Sequence, residues 1–148
     1  MKKDRFSALL QLRESVRHRR RILLAESLSV EQQLKLRIQF LENELRAAKD
    51  LSRRSSTGKV TLKTLVDARQ YSHTVHGRLR DLDERLDELT FQIRQKQSDL
   101  ETADREVKAV EKLIYRKCQE QQLMTRQNEH NSHDELALQY WRNHHTAE

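Results

Sequence analysis

LSRRSSTGKVTLKT, residues 51–64, decides whether this chain is one rod or two arms. Ser, Thr and Gly cluster here and the regular spacing of apolar residues lapses. Gly58 is one of only two glycines in 148 residues, and there is no proline. A glycine takes the left-handed backbone conformation that ends a helix without a steric penalty. Thr61 or Thr64 can then cap a following helix, and Asp67 stands three residues after Thr64 in capping-box spacing. The same stretch sets Gly58-Lys59 among hydroxyl residues, so a phosphate-cradling loop has to be weighed. Such a loop needs Gly-x-x-x-x-Gly-Lys-Ser/Thr after a strand, because backbone amides wrap the phosphates and the hydroxyl holds magnesium. Arg53 stands where the first glycine belongs, Val60 follows Lys59, and no strand pattern precedes them. The stretch reads as an elbow.

On its C-terminal side, a strict heptad seam runs through 75, 79, 82, 86, 89, 93, 96, 100, 103, 107, 110, 114, 117, 121 and 124. Twelve of these fifteen positions are apolar, where chance would give about five. Lys96, Lys117 and Gln121 are the exceptions. Sustained spacing of 3.5 residues with charged flanks marks a helix packed against another helix by knobs into holes. On the N-terminal side, a seam reads through 16, 20, 23, 27, 30, 34, 38, 41, 45 and 48, with a stutter at 30-34-38 and polar interruptions at Arg20 and Ser27. Phe6, Leu9 and Leu12 extend it toward the N-terminus, where Asp4 is the expected N-cap. A fresh capping box, Ser132 with Glu135, predicts a last short helix after a weak break at Asn131-Ser132.

Two helices joined by a short polar loop favour an antiparallel hairpin. The expectation is all-α: a single coiled-coil domain over 1–148 made of two long helices in an antiparallel coiled-coil hairpin, the second longer than the first. Helix 1 spans about 5–51, the elbow 52–61, helix 2 about 62–128, and a C-terminal helical tail 132–142. The rival arrangement is a straight parallel dimer with the elbow as a stutter, which would bring two copies of Cys118 side by side.

Composition agrees with long helices. Hydrophobic and charged residues each make up 35% of the chain, too little apolar material for a thick core but enough for a narrow seam. No segment approaches the ~18 consecutive apolar residues of a membrane span, and the basic N-terminus has no apolar signal core. A cytoplasmic location follows as the expectation, and a lone Cys118, unable to close an internal disulfide, agrees with it. The net charge is +6, and residues 1–21 hold eight Lys or Arg against Asp4 and Glu14. Such a basic end attracts acidic surfaces and polyanions alike.

Other chemistries fare poorly. His73 with His76, and His130 with His133, are spaced to share a metal, but neither pair has an adjacent Cys or a third ligand, and zinc sites normally need three or four. A two-helix seam offers no concave pocket to gather a nucleophile and a base, so the chain reads as no enzyme, with no catalytic, cofactor or metal residues. The basic block RESVRHRRRILLAESLSVEQQL (residues 13–34) followed by heptads suggests a basic-zipper DNA-binding helix. That block has no Asn to read adenine, its seven-spaced Leu ladder is only Leu34 and Leu41, and no interleaved aromatics serve RNA. No specific nucleic acid is expected.

The early stripe DRFSALLQLRE (4–14), the polar elbow, RQYSHTVHGRL (69–79), REVKAVEKL (105–113) and the terminal HDELALQYW (133–141) together resemble the flagellar export protein FliJ family. The stalk proteins of virulence type III secretion are its nearest cousins. The resemblance implies a two-helix antiparallel coiled coil similar to the γ stalk of rotary ATP synthases. It implies a non-enzymatic stalk or adaptor of the flagellar type III protein export apparatus, at the cytoplasmic face of the flagellar base. The implied partners are the hexameric export ATPase, the export-gate protein and export chaperones, with any membrane association made through them. On the family's pattern Tyr71 and Val75 meet the gate, while Arg78, one turn on, stands where the pattern has a small residue.

If the chain folds back near residue 57, facing residue numbers sum to about 114, and Phe6 lies opposite position 108. Helix 2 would then carry an uncovered apolar stripe of Val110, Leu113, Ile114 and Met124 beyond the end of helix 1. An uncovered stripe beside basic residues wants a partner. Phe6, Leu9, Arg13, Arg17, Val107, Val110, Leu113 and Ile114 are therefore the expected ATPase contacts. The alternative is self-association of residues 107–124 with a second copy.

Overall fold

The structure, a computed structural model, describes residues 5–55, 58 and 61–145. Two helices account for almost all of them: α1 (Arg5–Ser55) and α2 (Leu62–His145). They pack against each other as an antiparallel hairpin, with α2 the longer. The unbroken parallel rod is thereby excluded. The expected Asp4 cap lies outside the described residues.

The elbow follows the backbone chemistry read from its composition. Gly58 has φ +83°, in the left-handed region, and a Cβ there would be strained whatever the free space around it. Thr61 caps α2: its carbonyl accepts the Leu65 amide at 3.2 Å, and its hydroxyl meets the Thr64 hydroxyl at 2.7 Å. The cap pair is thus Thr61 with Thr64, and not Thr64 with Asp67. Helix α1 continues four residues beyond the expected end, and Arg53 and Arg54 in its last turn suit the negative end of the helix dipole. The break expected at Asn131-Ser132 is absent. Ser132 Oγ donates back to the Asn128 carbonyl at 2.9 Å, and α2 runs on to His145 without a separate tail. Nothing in residues 118–135 is Gly or Pro, so no residue there forces a stop.

Packing divides the chain into two compact units. One comprises Arg17–Thr102, the other Met1–Val16 with Ala103–Glu148. In the first, Leu41, Leu45 and Val75 form the buried core, with Leu79 and Leu82 packed against it. Every expected α2 seam position there, from Val75 to Leu100, is buried or half-buried, and Leu65, Ala68 and Ser72 extend the seam toward the elbow. In the second unit, Ala103, Val107 and Val110 are buried, Ile114 and Lys117 are half-buried, and Gln121 and Met124 are exposed.

The α1 seam differs from the expected one. In the first unit the inward residues are Arg17, Arg20, Leu24, Ser27, Glu31, Leu34, Ile38, Leu41, Leu45 and Ala48, alternating three and four without a stutter. Leu23 and Val30, expected inside, are exposed. A helix facing the unbroken heptads of α2 has to keep the same period, because a stutter would unwind the supercoil locally and rotate α1 out of the seam. The polar occupants are accommodated by bonding outward or across. Ser27, buried, donates to the Leu23 carbonyl at 3.0 Å and accepts from Lys96 Nζ. Glu31 takes the Lys35 ammonium at 2.8 Å. Arg20 Nη1 reaches the Asp99 carbonyl at 3.0 Å. Among the described residues no buried side-chain nitrogen or oxygen lacks a partner.

Candidate functional sites

Near the elbow, Glu44 on α1 and Tyr71 on α2 stand on the same flank of the seam. The Tyr71 hydroxyl donates to Glu44 Oε2. That bond to a carboxylate holds the phenol above its usual value of 10.0, with desolvation and the Glu44 charge adding to the effect and the guanidiniums of Arg78 and Arg37 opposing it. Beside this pair the helices leave a groove of about 520 Å³, floored by Ala47, Ala48, Leu51 and Ala68. Small side chains make it, since alanines on facing turns leave the space a leucine would fill. Tyr71, 43% exposed, offers an aromatic ring to a partner at its rim.

Val75 is elsewhere. It is fully buried between Leu41 and Leu45 and presents nothing to a partner. Its position on the heptad seam, legible in the sequence, already assigns it to the core.

In the unit that holds the N-terminal turns and the end of α2, Phe6 is half-buried with the Lys117 ammonium 4.8 Å from its ring centroid. Leu9 is half-buried, and Arg13 Nη1 meets Glu106 Oε2 at 2.7 Å. Val107 and Val110 are inside the seam and Ile114 is half-buried, leaving Leu113, 47% exposed, and Met124, 67% exposed, as the accessible members of the expected stripe. Arg17 is half-buried in the other unit.

Val110 of the expected stripe, and Val107 among the expected contacts, are covered because the register is different. Arg13 with Glu106, and Arg20 with Asp99, both sum to 119, not about 114. A longer α1 and a later turn move the fold point, so α1 covers α2 further than expected. Within residues 107–124, the stretch that could pair with a second copy, Val107 and Val110 are taken up by the seam while Leu113, Leu123 and Met124 are exposed.

The uncovered part of α2 begins at Cys118. From there to His144 every residue is exposed, including Leu123, Met124, Leu136, Leu138, Tyr140 and Trp141. Leu136, Tyr140 and Trp141 lie within one and a half turns, and Tyr140 stacks on His144 with centroids 4.2 Å apart. Sequence reasoning stopped at Met124 because this second cluster does not continue the heptad. Its signal was local density of aromatic and aliphatic residues, not period.

Among the described residues no three His, Cys, Asp or Glu side chains gather as a metal site, and His130 pairs at 3.7 Å with Asp134. No described helix is long and apolar enough to cross a membrane. What the geometry supplies is helical surface: an aromatic-rimmed groove, and an uncovered apolar arm.

The profile of one protein family, described as flagellar FliJ protein, matches residues 1–146. The chain belongs to the flagellar FliJ family. The match takes in both helices and the elbow, so membership applies to the hairpin as a whole. FliJ proteins are components of the flagellar export apparatus, and this chain is one. No curated protein and no solved structure matches the chain.

Proposed function

We propose that this FliJ protein is a non-enzymatic cytoplasmic stalk that couples the hexameric export ATPase to the export gate and assists export chaperones. The observation that carries the reading is the mismatch of the two helices. A seam of about 1.5–3 kcal/mol per buried aliphatic side chain keeps the hairpin closed. Beyond it α2 projects 27 residues, Cys118 to His144, with six large apolar side chains in water. A helix in that state is a recognition element in search of a groove.

In this reading the ATPase contact is made by the exposed members of that arm with Leu113, and the basic N-terminal turns favour an acidic lining. Phe6, Leu9 and Arg13 shape the base of the arm and Arg17 adds to the positive charge of α1, while Val107, Val110 and Ile114 hold the arm to α1. Tyr71 meets the gate directly, and Val75 supports it from beneath.

The test is co-purification of the full chain with the hexameric export ATPase and, separately, with the cytoplasmic part of the gate protein. A Leu113→Asp, Trp141→Asp double variant should lose the ATPase by about tenfold or more while keeping its melting temperature, since both positions are exposed. Tyr71→Ala should weaken the gate complex alone. Retention of the ATPase at wild-type affinity by the double variant would refute the assignment of the arm.

A further inference from the structure

One flank of the first packing unit carries like charges where a closed hairpin should carry opposite ones. The Glu44–Tyr71 hydrogen bond crosses the helices just outside the seam, between residues whose numbers sum to 115. Seven residues further along each helix the same geometry brings Arg37 and Arg78 together. One heptad more pairs Val30 with Arg85. Arg37, Arg78 and Arg85 line one shallow groove of about 240 Å³ over Leu41 and Leu82, with Asp81 as the one acid in its lining. No ion pair joins any of the three arginines to a carboxylate among the described residues, and Arg37 instead lies 5.4 Å from the Phe40 ring centroid.

Flanking positions of a coiled coil normally match Glu with Lys or Arg and so set partner and orientation. Two arginines across the same place repel and weaken the free hairpin. The same flank continues on α1 into Val30 and Leu23, seven residues apart, 47% and 49% exposed. An apolar stretch on α1 thus runs into a cationic one along a single strip. The strip matches a helix with aliphatic residues along one face and carboxylates beside them.

We infer that this flank, Leu23, Val30, Arg37, Arg78 and Arg85, docks a single acidic amphipathic helix of a partner protein as a third strand on the hairpin. The partner's aliphatic side chains cover Leu23 and Val30. Its carboxylates enter the groove over Leu41 and Leu82, where each planar guanidinium can form a paired hydrogen bond with a carboxylate. Charge repulsion in the free hairpin turns into attraction once the partner is seated, so occupied and empty states differ in stability by design of the sequence. This surface begins one heptad from Tyr71 on the same flank and is distinct from the ATPase assignment, and its test uses neither the ATPase nor the gate protein.

The probe is a synthetic three-heptad helical peptide with Leu at its seam positions and Glu on both flanks, compared with its Gln counterpart, both titrated against the full chain. The Glu peptide should bind at least about tenfold more tightly than the Gln peptide, and the difference should shrink with added salt. An Arg37→Gln, Arg78→Gln variant should remove that preference, and Leu23→Ser with Val30→Ser should weaken both peptides. Arg37→Glu supplies a readout from the free protein. It should raise the melting temperature by replacing a repulsive pair with an attractive one, and it should abolish the preference for the Glu peptide. Equal binding of the two peptides to wild type would overturn the inference. So would a lowered melting temperature in Arg37→Glu, or self-association of the wild-type chain that Arg37→Glu abolishes, which would make the occupant a second copy. Binding to phosphatidylserine vesicles in preference to the Glu peptide would likewise overturn it.

Discussion

Between Leu65 and Lys117, α2 buries or half-buries a residue at every seam position; between Cys118 and His144 it buries none. Both stretches are helical and both contain Leu, Met or aromatic residues. Met124 stands on the same heptad frame as Val110 and Lys117, yet it is 67% exposed while Val110 is 6% exposed. The difference follows α1, whose described residues begin at Arg5 and reach α2 only as far as Lys117. Burial along α2 is therefore a property of the pair and not of the α2 sequence. The arm keeps its helix through its own backbone bonds, with a side-chain bond such as Gln119 to the Tyr115 hydroxyl at 2.7 Å beside them. Bonds of that kind leave an isolated helix marginal in water.

The contrast can be broken most forcefully with a charge. Val107→Asp should cost about 3 kcal/mol or more, because a carboxylate at a fully buried position has no partner. Leu123→Asp, in the arm, should change stability by less than about 0.5 kcal/mol. Chemical denaturation of the two variants compares them, and similar losses would erase the distinction. A smaller effect separates two neighbours on α1. Leu24→Ala should cost about 1.5–2 kcal/mol and Leu23→Ala about 0.5 kcal/mol, since the first is half-buried in the seam and the second lies on the outer flank. The reverse order would restore the stuttered seam. Gly77→Ala should stabilise the hairpin by about 1 kcal/mol, because a helical glycine gains from the change and nothing lies within 4 Å of the added Cβ.

The α2 seam and the elbow were legible because each rests on one dominant signal. Twelve apolar residues on a fixed period leave no rival frame, and Gly58 among hydroxyl residues leaves one place to turn. The α1 seam was ambiguous because two seven-spaced ladders run side by side. Leu9, Val16, Leu23 and Val30 form the more apolar one, half-buried at Leu9 and Val16 but exposed at Leu23 and Val30, while Leu10, Arg17, Leu24 and Glu31 are half-buried throughout. Hydrophobicity alone prefers the first. The decision lies in the partner helix, whose unbroken period fixes the period of α1, and that constraint is invisible in a single-helix reading. The expected ATPase contacts suffered from the same blind spot. A few residues' error in the fold point moved Val107 and Val110 from an assumed surface into the core. Tyr71 was singled out through the family resemblance, but its bond to Glu44, 27 residues away, depends on the register and could only come from the structure.

Amide hydrogen exchange of the free chain tests the central claim most directly: α1 covers α2 as far as Lys117 and no further. Amides from about Val75 to Val110 should exchange only through cooperative opening of the hairpin, whereas those from Cys118 to His144 should exchange by local fraying, orders of magnitude faster. Protection that continues undiminished to Trp141, or that already ends before Val107, would contradict it.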